Sequence, residues 1–263
     1  SINTKLLEIK KLKVLIIGET IIDQYVFCEA LGKSGKEPVL VLRDLNTENY
    51  LGGALAIARH LNDFCDTVSV LSFLGEKNEY KSFIEENIEK DIALNFLTKS
   101  NSPTIVKRRF VDEIDRKKIL GVYSINDTLL EENEENLFID SYDQLVKEHD
   151  LVIVSDYGHG IITPKVAKHI SKTDKFISLN AQVNAANIGT HNIKKYRNMD
   201  CLIINETELR HEMRQRDGDI EKMASALKDI VSSKYIGVTQ GKDGVFLIKD
   251  NKKPIRCPGF ASR

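Results

Sequence analysis

Asn205 and Glu208 stand one helical turn apart, where the apolar run Cys201-Leu-Ile-Ile stops and a charged helical pattern begins. In an open α/β sheet, ligands bind beyond the carboxyl ends of the strands, so this pair sits where chemistry is usually done. Asn followed three residues later by Glu is also a capping box, which satisfies the first free helix amides without any ligand. Other residues share that kind of placement. Asp23 follows a strand that ends at Gly18, and Gly52-Gly53 opens a helix, where backbone amides can approach an anion or a sugar hydroxyl or simply make a tight turn. Lys107 and Arg109 alternate on one strand and so share a face. Two readings stand for them: a grip on an anionic substrate, or charges guarding an edge strand. Asp156 and His159 flank glycines at another strand end and are suited to acid/base work, although no Ser or Cys elbow makes a hydrolase triad, and His159 reads as a loop residue. Thr239-Gln-Gly-Lys-Asp-Gly244 can cradle phosphates through backbone amides or serve as a plain β-turn. Neither GxGxxG nor GxxxxGK[ST] occurs, which removes most support for those nucleotide-binding classes.

The elements that must position these residues alternate strand and helix. Apolar runs at 14–17, 67–74, 92–97, 151–155, 175–179, 201–204, 235–239 and 244–248 read as strands. Helical spacing predicts helices over 54–64, 80–88, 131–147, 164–170 and 219–231, the last with a continuous apolar face. Pro164 sits near a first turn, and the glutamates of 131–147 read as a solvated face. Two stretches break the alternation. Weak strands at 25–29 and 38–43 flank Gly32-Lys-Ser-Gly35, and strands at 104–111 and 117–123 flank Asp112-Glu-Ile-Asp-Arg116; both are hairpins without a crossover helix, able to pair into a small second sheet. The polar, helix-poor stretch 181–190, with Gln182, Asn184 and Asn187, reads as an ordered loop offering ligand contacts.

Composition bounds the function. At 263 residues, 41% hydrophobic and 29% charged, the chain can bury a large core. Lys and Arg total 38 against 39 Asp and Glu, a formal charge of -1, so no global field recruits nucleic acid or an anionic membrane, and a small ligand fits better. Cys28, Cys65, Cys201 and Cys257 form no CxxC pair and read as reduced thiols. No signal peptide or membrane span is legible, so a cytoplasmic protein is expected.

Taken in order, these residues resemble the PfkB/ribokinase family of carbohydrate kinases from about Val14 to the last residue. Gly18 to Asp23 is similar to the family's first strand with its sugar-binding aspartate, Leu51-Gly-Gly-Ala-Leu-Ala-Ile-Ala58 to its glycine-pair signature, Asn205-Glu-Thr-Glu208 to its Asn-x-x-Glu motif, and Val238-Thr-Gln-Gly-Lys-Asp-Gly-Val245 to its nucleotide-side loop. Pro103-Thr-Ile-Val-Lys-Arg-Arg109 and Val154-Ser-Asp-Tyr-Gly-His-Gly160 resemble the kinases acting on heptose 7-phosphate, and 180–187 resembles kinase domains fused to a cytidylyltransferase-like domain.

The resemblance implies a three-layer α/β/α sandwich with a mainly parallel central sheet, as one domain over 1–263 carrying an inserted β-lid at about 25–50 and 104–124. It also implies ATP and Mg²⁺ as cofactors and a sugar or sugar phosphate as substrate, heptose phosphate first. Asp23, Gly52, Gly53, Lys107, Arg109 and Asp156 would then face the substrate; Asn180, Thr239, Gly241 and Gly244 the nucleotide; Asn205 and Glu208 the metal and its waters. A homodimer through the lid and a fused nucleotidyltransferase domain are the implied partners. Two departures stand out. Ala56 takes the place where the glycine-pair signature usually has asparagine. The Gly-Ala-Gly-Asp motif, with its anion hole and catalytic base, is expected beyond Arg263, so the domain is expected to be C-terminally incomplete and inactive as it stands. The alternative function is non-catalytic, a pseudokinase or dimerisation module of a larger bifunctional protein.

Overall fold

A computed structural model describes residues 2–182, 193–249 and 252–260. After a short exposed helix, α1 (Ile2–Lys10), β1 (Lys13–Gly18) enters the interior of a nine-stranded sheet, third from one edge. Beside it lie β4 (Thr67–Gly75) and β5 (Ala93–Lys99) on one side, and β8 (Leu151–Asp156), β9 (Phe176–Ala181), β10 (Cys201–Asn205) and β11 (Tyr235–Thr239) on the other, all parallel. Antiparallel β12 (Val245–Lys249) and β13 (Ile255–Cys257) finish the edge.

The apolar runs are continuous because the interior strands bury both faces. Val14 and Ile16 pack with Leu55 and Ala58 of α2 (Ala54–Asn62) and Ile84 of α3 (Lys81–Asn87). Leu15 and Ile17 belong to the opposite core, with Phe138 and Tyr142 of α4 (Glu132–Leu145), Val166 and Ile170 of α5 (Pro164–Ile170), Leu209 of α6 (Glu206–Met213) and Leu227 of α7 (Ile220–Ile230). This is the expected α/β/α order. Among the described residues the α2–α3 layer covers the β8, β1, β4 and β5 end, and Phe176, Ile203, Tyr235 and Leu247 on the same face farther along remain half-buried or exposed.

A second sheet, in the order β3-β2-β6-β7, is made by the two hairpins: β2 (Thr20–Lys33), β3 (Leu40–Gly53), β6 (Ile105–Asp112) and β7 (Lys118–Ser124). The hairpins join through parallel β2 and β6. Its strands are much longer than the weak runs at 25–29 and 38–43 predict, 14 residues each in β2 and β3. Polar outward positions hide the strand signal, and cross-strand pairing supplies what local propensity does not. Three expectations change as a result. Asp23 lies inside β2, not past a strand end; Gly52-Gly53 ends β3 as well as preceding α2; and Gly32 falls within β2 across a register shift. Because β6 lies between β2 and β7, the edge-strand reading of Lys107 and Arg109 is also overturned.

Elsewhere β9 extends through Asn180 to Ala181, so Asn180 is a strand residue, while Asn184 and Asn187 of the expected loop lie outside the described residues. Glu134 is buried, closing a capping box with Glu131 and accepting the Ser100 amide, so it is not part of a solvated face. Helix α1 and strand β13 were not legible in the sequence pattern. Gly75 carries the junction between the sheets: a Cβ there would lie 2.1 Å from the Thr104 amide nitrogen and 2.6 Å from the Ser102 carbonyl. Gly75→Ala is therefore expected to lower the urea-unfolding free energy by about 2 kcal/mol, the overpacking range for a well-packed interior, without changing the unfolding slope.

Candidate active site

The site starts from the joint between the sheets. A Cβ on Gly18 would meet the Ser155 carbonyl oxygen at 2.0 Å, so only glycine lets β1 end this close to β8. The next residue, Glu19, is fully buried. Its carboxylate accepts from the amides of Tyr157 at 2.8 Å and His159 at 3.0 Å, and its carbonyl accepts from the Ala54 amide at 2.9 Å. Thr20 Oγ1 and Ser72 Oγ, 2.8 Å apart, and the Gly18 carbonyl complete the joint. The glycine pair fits around it: Gly53 has φ +60°, and a Cβ there would lie 2.2 Å from the Glu19 carbonyl oxygen, while one on Gly52 would lie 2.3 Å from Asp23 Oδ2. Close backbone approach and positive φ thus demand glycine at 53, whereas at 52 it leaves room for the Asp23 carboxylate.

Above the joint, the register Asp23 to Lys107 and Tyr25 to Arg109 puts all four side chains on one face of the lid. The Arg109 guanidinium pairs with the Asp23 carboxylate and lies 5.5 Å from the Tyr25 ring. Lys107 is 6% exposed, its ammonium 5.1 Å from the Tyr157 ring and 5.9 Å from the Tyr123 ring. Among the described residues that ammonium makes no hydrogen bond or ion pair. Burial pulls its pKa below the ordinary lysine value, against the partial support of the Asp23 and Glu19 carboxylates. From Asp23 a groove of about 470 Å³ continues along the lid, lined by Tyr25, Phe27, Tyr50, Arg116 and Lys118.

Below the joint, Asp156 is 1% exposed, with Lys195 Nζ at 2.6 Å, the Gly158 amide at 2.8 Å and the Tyr196 hydroxyl donating to Oδ2. Its carboxylate is committed to these neighbours and does not open on the groove. Burial and the adjacent Asp156 charge push the Glu19 carboxyl up to about 7. His159 lies in the loop after β8, as expected, but is buried there: Nδ1 lies 2.6 Å from Asp127 Oδ1, and Nε2 has no partner among the described residues. Burial holds its pKa below the ordinary histidine value. Lys99 ties this layer down from β5, donating to the carbonyls of Asn126, Thr128 and His159.

A second cleft, of about 530 Å³, lies farther along the same strand ends, lined by Asn205, Glu206, Thr207, Arg210, Thr239, Gln240 and Gly241. Parallel pairing sets Asn205 beside Thr239. The capping box is present, with the Glu208 amide donating to Asn205 Oδ1 at 2.8 Å and the Asn205 amide to Glu208 Oε2 at 3.1 Å. Gly241, at φ +55°, borders open space. Gly244 instead packs on β13, where a Cβ would lie 2.1 Å from the Cys257 carbonyl oxygen, and Asn180 donates to the Ile203 carbonyl at 3.1 Å; neither lines the cleft. No group of three His, Cys, Asp or Glu able to cage a metal occurs among the described residues. A single amide oxygen and a buried carboxylate at a helix start nevertheless fit magnesium, which keeps most of its waters and phosphate ligands and needs few protein oxygens.

The expected residues therefore fall into two groups at the strand ends, Asp23, Gly52, Gly53, Lys107 and Arg109 on the lid and its root, and Asn205, Thr239 and Gly241 lining the second cleft, with Glu208 buried behind Asn205 in the capping box and not part of that lining. Sequence reasoning missed Glu19, Asp127, Lys195 and Tyr196. Glu19 had a signal, a carboxylate directly after a strand-ending glycine; the other three have none, because only folding brings them to the site.

The comparisons agree with this architecture. A model of the pfkB family carbohydrate kinases matches residues 11–263. The bifunctional protein HldE of Campylobacter jejuni strain RM1221 is 29% identical over 247 residues, covering 93% of this chain and 51% of that protein, so the chain spans about half the length of the curated relatives it matches. Among solved structures, Arabidopsis thaliana ribokinase complexed with ribose and ATP superposes with a TM-score of 0.66 at 17% identity, covering 96% of this chain and 80% of that one. Escherichia coli phosphofructokinase-2 in complex with fructose-6-phosphate gives 0.68 at 13% identity, covering 94% and 80%. No described helix is long and apolar enough to cross a membrane. With the fold, the ordered motifs and a family match over nearly its whole length, the chain belongs to the pfkB family of carbohydrate kinases.

Proposed function

We propose that this chain is the kinase unit of a sugar-phosphate kinase, one ribokinase-like domain over 1–263, with ATP as donor and a heptose phosphate as acceptor. The observation that carries the sugar phosphate is Lys107, a buried ammonium without an anionic partner among the described residues, set between two tyrosine rings beside the Asp23 and Arg109 pair. A buried cation is costly unless paired, and a substrate phosphate would supply the missing charge. Asp23 and the amides of the glycine pair would orient sugar hydroxyls, and the tyrosines would give the ring an apolar wall.

Asn205 and Glu208 would hold the water shell of Mg²⁺, and Thr239 with Gly241 would border the nucleotide. Bound magnesium would offset phosphate charge during transfer. Asp156, buried and paired with Lys195, is read as a support for the sugar-side loop, and no general base is assigned among the described residues. Heptose is taken from the resemblance of 103–109 and 154–160 to heptose 7-phosphate kinases, and ATP is consistent with the ribokinase neighbour solved with that nucleotide.

The lid also exposes Leu31, Leu40, Leu45, Leu120 and Val122, at 49, 56, 49, 54 and 45%. An apolar spread of this kind favours a homodimer through the lid.

Thermal-shift titration is expected to show a response to a heptose 7-phosphate and a weaker one to the same sugar without phosphate. Lys107→Ala should weaken the phosphorylated ligand by roughly 10- to 100-fold, the worth of one charged hydrogen bond, while barely changing the unphosphorylated one. Equal responses to both sugars in the parent chain would refute the assignment. Glu208→Gln should weaken Mg-ATP by about tenfold and leave the sugar phosphate unchanged by calorimetry. If the lid is the dimer contact, Leu120→Lys with Val122→Lys should give a monomer in analytical ultracentrifugation, with the parent chain at twice that mass.

A further inference from the structure

Glu19 lies inside the Gly18 to Asp23 stretch, where the family resemblance gives a role to Asp23 alone, yet it touches both walls of the sugar side. Its carboxylate takes the Tyr157 and His159 amides from the loop after β8, and its carbonyl takes the Ala54 amide at the start of α2, against the glycine pair. Tyr157 is the ring that stands 5.1 Å from the Lys107 ammonium. We propose that Glu19 is a positioning residue for substrate: it fixes the loop after β8 against the glycine pair, and so sets Tyr157 and Lys107 where the acceptor's anionic group is received. This rests on the sugar-phosphate reading above.

The local arrangement leaves Glu19 few alternatives. Fully buried, it has Asp156 as its raising neighbour and Lys195 as a compensating cation; Lys99, Lys107, Tyr157 and Tyr196 feel its charge from β5, β6, the loop itself and the residue after the turn at Ile193–Lys195. Two backbone donors on one carboxylate is a strong anchor for a loop that has no regular structure of its own. The linkage has a definite sign. With the folded carboxyl near 7 and the ordinary value at 4.5, the closed loop prefers the protonated acid. That preference stabilises the folded state fully below about 4.5 and is lost as pH rises through about 7. A loop opening that hydrates Glu19 therefore becomes easier as pH rises from about 4.5 to about 7 and changes no further above that.

Two measurements on the full chain test this. Amide hydrogen exchange should show protected Tyr157 and His159 amides, with an opening equilibrium that rises with pH between about 4.5 and about 7 and levels off above it. Glu19→Ala should lose that protection while β4 and β10 keep theirs, and should raise the Kd for a heptose 7-phosphate by about tenfold with the Kd for Mg-ATP unchanged within about twofold. Glu19→Gln, which keeps one acceptor and the shape, should retain partial protection and lose the pH dependence of opening; it decides the matter if the alanine variant does not fold. Unchanged protection at Tyr157, or equal weakening of both ligands, would overturn the role. Should the parent chain bind no sugar phosphate at all, the kinase reading fails, and the exchange data alone decide whether Glu19 holds the loop.

Discussion

Four stretches of backbone meet around the buried Glu19, so closely that three glycines there have no space for a side chain. The ends of β1 and β8, the start of α2 and the first residues of the lid all lie within contact distance there, and Gly18, Gly52 and Gly53 are the positions where a Cβ would strike a carbonyl or a carboxylate. Most of the site follows from this crowding. Because the chain passes from β1 into β2 across Glu19 alone, the lid is rooted in the main sheet, and Asp23 comes out of the lid at a fixed height above the strand ends. An aspartate on a strand paired on both sides is held by ladder hydrogen bonds, which is a more rigid mounting than a loop gives.

Charge is concentrated at this joint in a way a purely structural core would avoid. Glu19, Asp156, His159, Lys99 and Lys107 are all buried, and Asp156 with Lys195 forms a close ion pair. Replacing such a set by apolar residues would in general be neutral or stabilising. Their presence, with Glu19 pushed up to about 7 and Lys107 and His159 held below their ordinary values, is the pattern found where a protein keeps groups ready for a ligand's charge. The second cleft is different in kind. It is open and polar and borders a helix start, so what it offers a ligand is backbone amides and a capped helix end more than buried charge.

The parallel sheet was legible because interior strands are apolar on both faces, and runs such as Val14–Ile17 and Leu202–Ile204 stand out against a charged background. The lid was legible only as an interruption. Its strands carry polar residues outward, so just the pieces between turn signals were visible, and Asp23 and the glycine pair seemed to lie in loops. Asn205 and Glu208 could be placed to the residue, since a cap followed by a helix is a local pattern. Lys107 and Arg109 were legible as a pair on one face, but whether that face guarded an edge or covered a site depended on β7 pairing beyond them.

What the sequence alone determined is therefore local: which segments form strand or helix, where helices begin, and the order of motifs that carries the family resemblance. These rest on periodicity, capping and turn chemistry over a few residues. The tertiary structure decided which distant groups share a site. Asn205 and Glu208 keep the capping box their spacing implied, but the cleft beside them exists because β10 and β11 pair in register. Glu19 becomes the anchor of the Tyr157 loop, 138 residues away, through contacts that no local pattern encodes. Side-chain charge is written residue by residue, whereas burial and partnership, which set its pKa and its use, are properties of the packed whole.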